Sequence, residues 1–115
     1  MHIRWVVLMC VAAAACGGSD SVTGNNPGNT PTATTSVTMS SKQFQPAAIL
    51  VSKGATVTWT NQDGFPHNVT FSNASITSIA NFSTGSQSTV MPAAAGTYNY
   101  NCTIHPGMNG TVTVQ

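Results

Sequence analysis

A chain of 115 residues, 4% of them charged and carrying a formal net charge of +1, has room for one small domain at most. Lys42 and Lys53 balance Asp20 and Asp63, which leaves no basic footprint for nucleic acid and no strong single-signed field to steer a charged partner.

The first element in chain order is a targeting segment. Met1 to Arg4 carry the positive charge, and Trp5 to Ala15 (WVVLMCVAAAA) form an apolar run too short to span a bilayer as a helix. Residues 1–15 therefore read as a signal peptide. Ala13-Ala14-Ala15-Cys16 resembles a bacterial lipobox, in which the cysteine is acylated and becomes the mature N-terminus. Ala13 and Ala15 also fit ordinary signal cleavage. Both routes place the mature protein outside the cytoplasm, in the periplasm or cell envelope, and an acylated Cys16 would anchor it to a membrane. Residues 16–35 are dominated by Gly, Ser, Asn, Thr and Pro. Such a stretch cannot bury enough apolar surface to offset its ordering entropy, and it reads as a flexible tether.

From Ser36 to Gln115 the pattern becomes β. Ser36 to Ser40, Thr56 to Thr60, Thr97 to Cys102 and Thr111 to Val114 alternate polar with apolar residues. A period of two in β-branched and aromatic residues predicts strands with one buried face. Val57 and Trp59 fall on one such face, and Tyr98, Tyr100 and Cys102 on another. Val69 and Phe71 predict a further strand, and Ala48 to Val51 a shorter one. Gly54, Asp63-Gly64, Pro66, Gly85, Pro92, Gly96 and Pro106-Gly107 punctuate the runs. Helical periodicity is absent. Many short strands with frequent turns predict an all-β sandwich or barrel over residues 36–115.

That region holds one cysteine, Cys102, and two histidines, His67 and His105. A lone cysteine is most often an inert core residue. Here Cys102-Thr103-Ile104-His105-Pro106-Gly107-Met108 puts thiolate, imidazole and thioether donors on one short loop. With His67 from upstream, the set matches a trigonal copper site of two imidazoles and one thiolate with methionine as a weak axial ligand. A structural zinc site would need more cysteines or histidines than this region offers.

The segments Gly54 to Asp63, Pro66 to Phe71 and Ala95 to Gly110 resemble the cupredoxins, within them the plastocyanin, pseudoazurin and amicyanin group. The resemblance covers essentially all of residues 36–115. It implies an eight-stranded, two-sheet Greek-key β-sandwich with one type 1 copper near one end. It also implies that His67 precedes a strand and that Cys102, His105 and Met108 lie on the loop before the last strand. Asn68 matches the residue that pins the ligand loops and whose backbone N–H donates to the cysteine sulfur. Relatives usually carry proline where this chain has Ile104, which retains an N–H able to reach the thiolate. The exposed edge of His105, rimmed by Pro106, Gly107 and Phe65, is expected to be the electron port, and no acidic cluster is present to attract a cationic partner.

The expected function is single-electron transfer as a monomer, with a cytochrome, an oxidase or a dehydrogenase as partner. Copper storage or delivery through the same ligands is the alternative, although the region lacks the methionine or histidine runs that suit it. An enzyme is not expected: His67 and His105 are already used as ligands, so a Ser/His/Asp triad would have to borrow one of them.

Overall fold

The computed structural model describes residues 30–115. Among them there is no helix. Ten strands form two sheets: β1 (Thr32–Ala33), β2 (Ser36–Ser40), β3 (Gln43–Gln45), β4 (Ala48–Val51), β5 (Thr56–Asn61), β6 (His67–Phe71), β7 (Ile79–Phe82), β8 (Gly85–Val90), β9 (Gly96–Asn101) and β10 (Asn109–Val114). One sheet runs β1-β4-β10-β9-β6-β7 and the other β3-β2-β5-β8. The all-β sandwich is as expected, with ten strands where eight were anticipated. The surplus includes very short pieces, since β1 has two residues and β3 has three. Thr32 and Ala33, late in the stretch assigned to the tether, pair with Ile49 and Leu50 of β4.

The alternating strands bury the faces their sequences assign to the core. In β5, Val57 and Trp59 are fully buried while Thr58 and Thr60 face the hydroxyls of Ser88 and Ser86 on β8, both at 2.8 Å. In β9, Tyr100 is buried and Tyr98 half-buried, its hydroxyl donating to the Ala94 carbonyl at 2.6 Å. Between the sheets, Trp59 meets Phe71 and Tyr100 edge-on, with ring centroids 5.9 and 5.5 Å apart. Phe44 meets Tyr100 at 4.7 Å. Edge-to-face packing of this kind adds a few tenths to about 1.5 kcal/mol per pair beyond area burial.

Strand pairing also sets the position of the chemistry. β6 and β9 are antiparallel neighbours, with Thr70 opposite Asn101 and Phe71 opposite Tyr100. Continued antiparallel, that register carries the start of β6 past the end of β9, level with the loop that follows it. β10 then returns antiparallel to β9, with Asn109 opposite Asn101. His67, Cys102 and Met108 are carried to one end of the sandwich by register alone.

Candidate metal centre

The loop from Cys102 to Met108 is built from two successive turns. The His105 N–H donates to the Cys102 carbonyl at 3.4 Å, and the Met108 N–H donates to the His105 carbonyl at 3.1 Å. The Cys102 N–H donates to the Met108 carbonyl at 2.9 Å and closes the loop. A hydrogen bond across three residues is what defines a tight turn. The Cys-x-x-His-x-x-Met spacing thus makes each donor residue the hinge of a turn, and the backbone ties the three donor residues to one another.

The fourth residue, His67, opens β6 and is fully buried. Its Nδ1 lies 3.1 Å from Nδ1 of His105 and 3.9 Å from Sγ of Cys102, and Nδ1 of His105 is 3.4 Å from the same sulfur. The three donor atoms lie within 4.8 Å of one another. Met108, whose backbone closes the loop, is 2% exposed. Cys102 is a free thiol and buried, so oxidation by solvent species is hindered. Two nitrogen lone pairs and a sulfur converging in a protected pocket suit a soft-to-borderline cation, and thiolate with imidazole selects copper over the hard oxygen-seeking ions. Burial, followed by the electrostatic influence of His67 and Lys42, holds the His105 imidazole below its usual range, while Asp63 acts in the opposite sense.

The residues around this group are polar on one side and apolar on the other. The Asn68 side chain accepts from the Thr103 N–H at 3.1 Å and donates to the Thr103 hydroxyl at 2.8 Å, which pins the Cys102 loop to β6. It also donates to the Asn81 side-chain carbonyl at 2.9 Å. Among the described residues, the hydrogen-bonding neighbours of the Cys102 sulfur are the two imidazoles. The backbone N–H groups of Asn68 and Ile104, expected from sequence to reach it, are not among them. Asn68 acts through its side chain, and Ile104 turns outward with 44% of its surface exposed.

Phe65, 36% exposed, meets the His67 ring edge-on and the His105 ring at a tilt, with centroids 5.1 and 5.6 Å away. Pro106 and Gly107, which follow the half-buried His105, are exposed, as is Pro66 before His67.

Two residues in this region escaped the sequence. Asn61, buried at the end of β5, donates to the carbonyls of Phe65 and Phe82 at 2.9 and 2.8 Å and accepts from the Asp63 N–H at 2.9 Å. Asp63 accepts from His67 Nε2 at 2.8 Å. Burial pushes the Asp63 carboxyl up, but the N–H groups of Lys42 and Ser41 together with His67 outweigh it and hold it below its usual value. The i, i+4 spacing of Asp63 and His67 across Gly64-Phe65-Pro66 is the one signal that could have marked it.

Comparison with known proteins gives one answer. The family model for copper-binding proteins of the plastocyanin/azurin family matches residues 31–115. The chain is 39% identical over 84 residues to a plastocyanin of Scenedesmus fuscus, covering 63% of this chain and 86% of that protein. It is 33% identical over 114 residues to amicyanin-alpha of Methylorubrum extorquens, covering 90% and 87%. Among solved structures, a methionine-to-alanine variant of amicyanin in its Cu(I) form superposes with a TM-score of 0.63 at 30% identity, covering 70% of this chain and 80% of that one.

Proposed function

The chain belongs to the plastocyanin/azurin family of copper-binding proteins, and on that premise we propose that it is a small extracytoplasmic electron carrier whose one type 1 copper is held by His67, Cys102, His105 and Met108. The observation that carries this function is the convergence of Nδ1 of His67, Nδ1 of His105 and Sγ of Cys102 within 4.8 Å. When bound, copper supplies a one-electron Cu(I)/Cu(II) couple. The protein's part is to hold the donors still. His67 is locked in the core, and Cys102, His105 and Met108 are tied together through their own backbone. Donors fixed in this way give both oxidation states the same surroundings, which is what rapid exchange of an electron requires.

His105, with Phe65, Ile104 and Pro106 around it, is the proposed electron port. The rim offers apolar contact to a redox protein such as a cytochrome, an oxidase or a dehydrogenase, and Lys42 is the charge beside it, its Nζ 5.9 Å from the Phe65 centroid. No catalytic reaction is assigned. Residues 1–29 lie outside the described structure; the proposed organisation is a signal peptide over 1–15, a tether over 16–35 with acylation at Cys16, and the copper domain over 36–115, with Thr32 and Ala33 at the tether's end joining the sandwich through β4. Cyclic voltammetry of the copper-loaded chain distinguishes a carrier from a store. A carrier gives a reversible one-electron wave and fast self-exchange; an irreversible wave, with copper lost on reduction, would point to storage or delivery through the same ligands.

A further inference from the structure

Asp63 is the one acidic side chain among the described residues, and the fold surrounds it with donors. Its Oδ1 accepts from the Ser41 N–H at 2.7 Å and its Oδ2 from the Lys42 N–H at 3.0 Å. Both of those residues sit in the left-handed region, at φ 53° and 57°, within the turn that joins β2 to β3. Side chains other than glycine seldom adopt that conformation. Here it aims two successive N–H groups at a single carboxylate, as in an anion-binding nest. The backbone of Asp63 is held as well, its N–H donating to Asn61 Oδ1 at 2.9 Å. A carboxylate fixed from the hairpin and from its own loop then meets His67 Nε2 at 2.8 Å.

We propose that Asp63 is a positioning residue for the metal centre, orienting the His67 ring and lowering the reduction potential of the copper bound there. This rests on the copper site proposed above. An acceptor at Nε2 keeps the proton on that nitrogen, so the Nδ1 lone pair is the one left facing Cys102 and His105. Of the two ring nitrogens, it is Nδ1 that lies 3.1 Å from His105 Nδ1 and 3.9 Å from the sulfur. A neutral carbonyl in the place of Asp63 would select the same tautomer. A carboxylate does more: it makes the imidazole a better donor and sets a negative charge behind it, and both favour Cu(II) over Cu(I). The β2–β3 turn, which contributes no donor to the metal, thereby acts on the electron affinity of the centre.

Three proteins test this: the wild-type chain, Asp63→Asn and Asp63→Ala. The Asn variant keeps the shape and an acceptor but removes the charge. Heteronuclear NMR of the imidazole nitrogens in the metal-free proteins reads the tautomer; potentiometry and copper(II) titration read the loaded ones. The expected results are a single Nε2–H tautomer of His67 in wild type and a mixture in Asp63→Ala. The potential should rise in both variants, and Cu(II) should bind about 10–100-fold more weakly to Asp63→Ala. If both variants keep the wild-type potential and tautomer, the proposal is overturned, even if their unfolding midpoints fall, because a merely structural tie would do only that. Failure of the copper site itself would look different: wild type would then develop no blue colour with copper, and the tautomer measurement on metal-free protein would still decide the orienting role.

Discussion

Gly110 lies opposite Tyr100 in the β9–β10 ladder, two residues after Met108, and its backbone passes directly under the tyrosine ring. A Cβ built there would stand 2.7 Å from Tyr100 Cε2 and 2.5 Å from its hydroxyl oxygen, with Cζ closer still. Replacing a strand glycine by alanine in open space stabilises by about 0.5–1 kcal/mol, because glycine loses more backbone freedom on folding. Here the ring cannot retreat: Tyr100 is 2% exposed and packed edge-on against Phe44 and Trp59. Forcing an extra methyl into such a contact costs about 1–3 kcal/mol. The two effects have opposite signs, so the direction of the change decides between them. Gly110→Ala is expected to destabilise the metal-free protein by about 1–2 kcal/mol, lowering Tm by roughly 4–8 °C per kcal/mol in a domain of this size. In a Tyr100→Leu background, which removes all three clashing atoms, the same substitution should become neutral or stabilising. Urea unfolding of the four proteins gives the cycle. A stabilised Gly110→Ala single variant, or a penalty that survives the loss of the ring, would refute the close approach.

Other consequences follow from the same contacts. Burial, partly offset by the Trp59 indole, pushes the Tyr100 phenol from 10.0 up to about 12. A raised value in the folded state means that the contribution is fully present below pH 10.0 and is lost as pH climbs toward about 12. The loss amounts to about 3 kcal/mol at most, and Tyr100→Phe should lack that alkaline fall when urea midpoints are compared across this window. With an apolar rim and few charges, electron exchange with a redox partner should depend weakly on salt; a stopped-flow rate that collapses between low and physiological ionic strength would contradict the proposed port. Acylation at Cys16 predicts a lipid-modified N-terminal peptide in the membrane fraction by mass spectrometry, and Cys16→Ser should move the protein to the soluble fraction.

The elements legible in the sequence were those with one buried face. β5, β9 and β10 alternate because Val57, Trp59, Tyr100, Val112 and Val114 point inward between threonines and asparagines. β8 (GSQSTV) was not legible, since only Thr89 is buried and a strand exposed on nearly every residue leaves no periodic trace. β3 carries a single core residue, Phe44, too little for a pattern. The site divides along a similar line. Cys102, His105 and Met108 were visible because their spacing is itself the turn geometry that joins them. Asp63 and Asn61 were not, because their importance comes from partners remote in sequence: Asp63 meets the N–H groups of Ser41 and Lys42 across 22 and 21 residues, and Asn61 meets the Phe82 carbonyl across 21. Such meetings are created by the packing of strands, and the i, i+4 spacing of Asp63 and His67 is the one local mark beside them.

The most direct measurement is titration of the purified chain with copper(II), followed by visible absorption and EPR, alongside Cys102→Ser. A bond from the Cys102 sulfur to the ion predicts saturation at one copper per chain, an intense thiolate-to-copper charge-transfer band and a small copper hyperfine splitting, all abolished by the serine. A colourless complex with a large splitting, or an unchanged spectrum in Cys102→Ser, would contradict it.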